Sequence, residues 1–148
     1  VKINIMDKKL IASSNINIQS TPEKVWDVLT NPEKIKEYLF GTEVLTDWNI
    51  GSPIVFQGAY DGQQYKDKGN VIENTKNELL KYDYWSGFSG LEDKPENYSL
   101  VTYKVESLDN SSVNFTWHQQ GFSSEEGKCH TEQGLQSMLE KIKELAEK

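Results

Sequence analysis

The sequence predicts an α+β domain in which a strongly curved antiparallel sheet carries one amphipathic helix across its concave face. Three observations predict it. Short runs of period-two alternation recur between Lys9 and Gln119, two proline-led helix caps stand close together after the first run, and one long apolar stripe at helical spacing closes the chain. Sheet and helix each present one apolar face, and laying one on the other buries both. The 148 residues contain no repeat, low-complexity tract or Pro/Ser linker, so residues 1–148 are expected to form one domain.

The first strand spans Lys9 to Gln19, with Ala12, Ser14, Ile16 and Ile18 on one face and Ser13, Asn15, Asn17 and Gln19 on the other. Thr21 followed by Pro22 is an N-cap with proline at the first helical position, and Val25, Val28 and Leu29 follow at helical spacing. Asn31-Pro32-Glu33 repeats that chemistry before Ile35, Tyr38 and Leu39, giving a second short helix. From Thr42 onward strands dominate. Ile54, Phe56 and Tyr60 alternate, and Asp61-Gly62 turns the chain into a partner strand. Gly69 interrupts that strand and marks a bulge or a close backbone approach. Leu80, Tyr82 and Tyr84 share a face, Ser86 to Asn97 reads as a mobile loop, and Val101, Tyr103 and Val105 alternate next. Asp109-Asn110-Ser111-Ser112 then turns into Val113, Phe115 and Trp117. In the last segment Leu135, Met138, Leu139, Ile142, Leu145 and Ala146 form the apolar stripe. Glu144 and Lys148 stand at i, i+4 on its solvated side.

A net charge of −7 opposes nucleic acid, whose binding rests on basic side chains, and it opposes docking on an anionic membrane. No apolar run approaches the ~20 residues that span a bilayer, and no charged-then-apolar leader opens the chain. With one cysteine there is no internal disulfide, and a cytoplasmic location is the expectation.

Several stretches in this order resemble the helix-grip fold of the START/Bet v 1-like superfamily. Within it, they resemble the bacterial branch named after the activator of Hsp90 ATPase. The stretches are Ile18 to Asp27, the Asn31-Pro32-Glu33 cap, Gly69 to Glu73 before Leu79-Leu80, Gln119 to Phe122, and Gly134 to Lys143. One position departs: similar sequences commonly carry Trp where this chain has Leu135. The resemblance implies a space between sheet and final helix that holds an apolar ligand in many members of the superfamily. It implies no reaction, since the fold hosts binders, cyclases and chaperone partners.

Alternation points Phe56, Tyr60, Tyr82, Tyr84, Tyr103, Phe115 and Trp117 inward, opposite Leu135, Met138 and Ile142 of the helix. These side chains either pack as plain core or line a ligand cavity. Four of them are tyrosines whose buried hydroxyls need partners. Phe40 and Trp48 follow the second helix and are candidates for the cavity mouth. Cys129 and His130 are neighbours about 100° apart on a helix, and His118 lies opposite Trp117 on its strand, so neither a nucleophile–base pair nor a metal site is expected. No cofactor is expected either. Asp83 and Glu73 would face inward only if the strand parity slipped by one residue.

Three functions follow as expectations. The first is non-enzymatic binding of a small apolar or aromatic molecule in the cavity. The second is a module that contacts an Hsp90-type chaperone, as the resemblance implies. The third is a cyclase- or dehydratase-like activity on an aromatic polyketide-type substrate, which requires a buried acid or base.

Overall fold

The computed structural model describes residues 5–109 and 111–148. Strand β1 (Asp7–Ile18) leads to helices α1 (Pro22–Thr30) and α2 (Pro32–Tyr38). Strands β2 (Glu43–Leu45), β3 (Pro53–Tyr60), β4 (Gln63–Thr75), β5 (Leu79–Tyr84), β6 (Ser99–Asp109) and β7 (Ser112–Phe122) follow, and helix α3 (Glu125–Ala146) ends the fold. Among the described residues the strands make one antiparallel, curved, seven-stranded sheet in the order β1-β7-β6-β5-β4-β3-β2. The first strand therefore closes beside the last.

Each helix begins where a side chain satisfies an orphan backbone donor. The Thr21 hydroxyl accepts from the Lys24 N–H, and the Asn31 side chain accepts from the Glu33 N–H at 3.0 Å. Ser124 caps α3 by accepting from the Gly127 N–H at 3.1 Å. Helix α3 buries Leu135, Leu139, Ile142, Leu145 and Ala146. It packs on β1 and β7 and meets α1 and α2. Lys143 donates to the Asn17 carbonyl at 3.0 Å, and the Glu147 carboxylate accepts from the Gln19 N–H at 2.8 Å, so polar groups at the helix end tie it to β1. The expected Glu144–Lys148 pair does not form. The helix ends at Ala146, the Lys148 carbonyl accepts from Lys24, and Glu144 pairs with Lys141 instead.

Asp61 and Gly62 both adopt positive φ, 51° and 78°, which is the hairpin turn that matches strand twist. Gly69 marks a close backbone approach: a Cβ there would collide with the Asp83 carbonyl oxygen. Asp109 organises the β6–β7 turn by accepting from the Ser111 N–H at 2.9 Å; Asn110, also placed in that turn, lies outside the described residues.

The segment Ser86 to Asn97 is a built loop rather than a featureless one. It contains 3-10 turns over Gly87–Ser89 and Pro95–Asn97. Trp85 donates its indole N–H to the Leu91 carbonyl at 3.2 Å, and Leu91 and Asn97 are buried. The glycines and proline that signal a loop also permit these tight turns, while the buried Leu91 supplies an anchor that composition does not reveal. Among the described residues no helix is long and apolar enough to cross a membrane.

Candidate functional site

The inner face of the sheet carries a row of aromatic rings placed by strand alternation. Phe56 of β3 lies 5.7 Å from Tyr82 and 5.3 Å from Tyr84 of β5. Tyr82 meets Tyr103 of β6 edge-on at 5.5 Å, and Tyr103 meets Phe115 and Trp117 of β7 at 5.8 Å and 4.6 Å. Such tilted and edge-on pairs match the quadrupoles of the rings. Phe56, Tyr82, Tyr103, Phe115 and Trp117 are buried, as are Leu135 and Ile142 of α3; Tyr84 and Met138 are partly buried against the same core. Tyr38 of α2, which strand alternation has no means of placing, is also fully buried and donates to the Leu29 carbonyl at 3.1 Å.

The polar atoms in this row are only partly satisfied. Tyr82 and Tyr103 share one hydrogen bond, 2.7 Å between hydroxyl oxygens, which uses one of their two protons. The Trp117 indole N–H is buried and has no acceptor among the described residues. Burial raises the pKa of Tyr38, Tyr82, Tyr84 and Tyr103, so these phenols stay neutral donors across the ordinary pH range.

One aromatic expectation needs correction. Tyr60 is 70% exposed, because it sits at the outer end of β3 where the hairpin projects past the core. Its ring instead lies 6.4 Å from Phe88. Phe40 is likewise exposed, on a residue with φ 53° that turns the chain between α2 and β2. Trp48 is half-buried and donates its indole N–H to the Thr30 carbonyl at 3.0 Å, closing the C-terminal end of α1. It is a staple as it stands.

The ionisable groups sort differently from the expectation. Asp83 faces the outer side, accepting from the Asn70 N–H at 2.7 Å, and Glu73 is exposed beside Lys81. Parity holds along β5 and keeps Asp83 outside, whereas β4 shifts register between Val71 and Glu73, and that irregularity pairs Glu73 with the outward Lys81. The acid on the inner face is Asp67 of β4, 6% exposed, whose carboxylate accepts a short hydrogen bond from the Tyr84 hydroxyl. Counting back in twos from the buried Val71 reaches Gly69 and then Asp67, so parity alone points to it. A lysine on each side, Lys66 and Lys68, disguises the position as a solvated stretch.

Burial pushes the Asp67 carboxyl up, and the hydroxyls of Tyr84 and Ser86 with the Gly87 N–H offset part of that push. A carboxyl whose folded pKa lies above its unfolded value stabilises the fold most below the unfolded value. That contribution disappears as pH rises through the folded one. Asp67→Asn is therefore expected to gain stability relative to the native chain between about pH 4 and about pH 7. Urea unfolding of both chains at the two pH values measures this. A difference that stays flat, or moves the other way, refutes the environment described for this carboxyl.

Cys129 and His130 lie exposed on the first turns of α3, and His118 points away from Trp117 on β7. An open groove of about 340 Å³ on the outer side is lined by Asn70, Asp83, Asp93, Pro95 and Tyr98, away from the aromatic row.

A curved seven-stranded antiparallel sheet gripping one long C-terminal helix, with two short helices after the first strand, defines a helix-grip domain. Residues 19–147 match the profile of the family described as activator of Hsp90 ATPase homolog 1-like protein, and the chain belongs to that family. A protein of known solution structure from Cytophaga hutchinsonii is 39% identical, with TM-score 0.78 over 93% of this chain and 94% of that one. The Aha1 dimer from Colwellia psychrerythraea is 15% identical, with TM-score 0.71 over 93% and 96%. An HSP90 activator from Plasmodium falciparum is 16% identical, with TM-score 0.58 over 75% and 72%. The last two likenesses are of fold. No curated protein matches the chain.

Proposed function

We propose that this protein binds a small, largely apolar or aromatic molecule between the inner face of its sheet and α3, without chemical conversion. The observation that carries this reading is the pairing of an aromatic row with unspent donors. The Trp117 N–H is buried without an acceptor among the described residues, and the Tyr82–Tyr103 pair keeps one proton to give. A buried donor left unpartnered costs about 1–3 kcal/mol, and a ligand oxygen placed among these groups recovers that cost. The apolar body of the ligand contributes roughly 25 cal/mol for each Å² it removes from water.

The test is a panel of aromatic carbonyl compounds screened by native mass spectrometry and tryptophan fluorescence. A binder is expected, and Trp117→Phe, which keeps a ring and removes the N–H, should weaken it by about three- to tenfold. Tyr103→Ala should weaken it further. A panel with no retained molecule defeats the reading.

A second reading, contact with an Hsp90-type chaperone, is supported by family membership. The net charge of −7 suits a basic partner face. The host chaperone's ATPase rate, measured at saturating protein, tests it. Unchanged turnover removes it.

A further inference from the structure

Asp67 is the one inner-face carboxylate among the described residues that sits against the aromatic row, and no described cation answers it. Its hydrogen-bond donor is neutral, the Tyr84 hydroxyl, and the Ser86 hydroxyl and Gly87 N–H that favour its charged form are neutral dipoles as well. The adjacent Lys68 faces the other side and pairs with Asp93. Dipoles reduce the cost of burying a carboxylate but do not cancel its charge.

Rings surround the same spot. Phe56 is the cross-strand register partner of Asp67, so the two side chains stand side by side on one face. Tyr84 donates to the carboxylate and lies edge-on to Phe56 at 5.3 Å. Tyr65 precedes Asp67 by two residues on that face, and its ring is 6.1 Å from Phe88. Phe88 belongs to the 3-10 turn whose Gly87 approaches the carboxylate. A carboxylate flanked by rings is the arrangement that receives an organic ammonium: the carboxylate takes its N–H bonds and charge, and the rings take its remaining positive surface.

We propose that Asp67, with Phe56, Tyr65 and Tyr84, forms the subsite for the ammonium head of an aryl- or alkylamine whose apolar body lies along the aromatic row. This rests on the interior-binding reading and deepens it by assigning the ligand's charge. The Trp117 donor stands in a different register row, which runs through Tyr103 and Leu80 to Asn74 of β4, so it is displaced from Asp67 along the strands as well as across them and plays no part in this subsite. The net charge of −7 favours the approach of a cation.

The experiment compares phenylbutylamine, phenylbutanol and phenylbutyrate, which share one body and differ in head charge, by fluorescence titration and amide chemical-shift changes. The amine is expected to bind about tenfold or more tighter than the alcohol, and the acid more weakly than both. Asp67→Asn should remove the amine's advantage and leave alcohol binding within about twofold. Equal binding of amine and alcohol to the native chain overturns the ammonium subsite and leaves interior binding standing. An advantage that survives Asp67→Asn also overturns it. Failure of all three compounds to bind overturns both readings. The comparison of the three compounds on the native chain is decisive even if the variant does not fold.

Discussion

Gly69→Ala is expected to destabilise the fold by about 3 kcal/mol or more, because no side chain can yield to the added methyl. The atom in its way is the backbone carbonyl oxygen of Asp83, on the neighbouring strand β5. Strands β4 and β5 shift register just beyond, between Val71 and Glu73. To admit a Cβ, β5 must move away from β4, carrying Tyr82 and Tyr84 with it. The variant should therefore also disturb the aromatic row, visible as changed near-ultraviolet circular dichroism. Urea unfolding measures the stability loss as a lowered midpoint. Gly134→Ala is the matched control, since nothing lies within 4 Å of its added Cβ in α3. It should stabilise by up to about 1 kcal/mol through helix propensity. If both variants unfold at the native midpoint, the backbone approach at Gly69 is not as described.

Phe115→Ala carries the other large effect, an expected loss of about 3–5 kcal/mol. Phe115 is fully buried, its ring 5.8 Å from Tyr103, on a strand paired on both sides with Ile16 and Val105 opposite it. A central strand cannot collapse into the space left behind, so the cavity term adds to the lost transfer energy. Leu108→Ala, at a side chain 55% exposed, should stay within about 0.5 kcal/mol. Equal effects at the two positions would contradict a core centred on β7.

Much of this architecture is legible before folding. Thr21 and Asn31 followed by proline announce helix starts because capping is a local exchange between a side chain and orphan N–H groups two or three residues away. Asp61-Gly62 announces its hairpin because few residue pairs accept two successive positive φ angles. The α3 stripe is legible because helical geometry is set by neighbours within one turn. Gly69 is legible as a point of close approach, though its partner Asp83 is not.

The inner face of the sheet is legible as a set of residues and not as an arrangement. Alternation places Phe56, Tyr82, Tyr103, Phe115 and Trp117 correctly, yet it also offers Tyr60, since period two continues past the point where the core ends. Asp67 is hidden by the lysines that flank it, although the same parity assigns it to the interior. The Tyr84–Asp67 hydrogen bond and the Tyr82–Tyr103 pair join strands whose registers depend on every turn between them.

Capping, turn chemistry and face assignment act over a few covalent bonds, so 148 letters suffice to specify them, and with them the α+β class. The Trp117 donor and the Asp67 charge, both unanswered among the described residues, and the exposure of Tyr60 arise only once distant strands are brought edge to edge. Solvation and electrostatic balance depend on what surrounds an atom in space, and that surrounding is assembled by the fold as a whole.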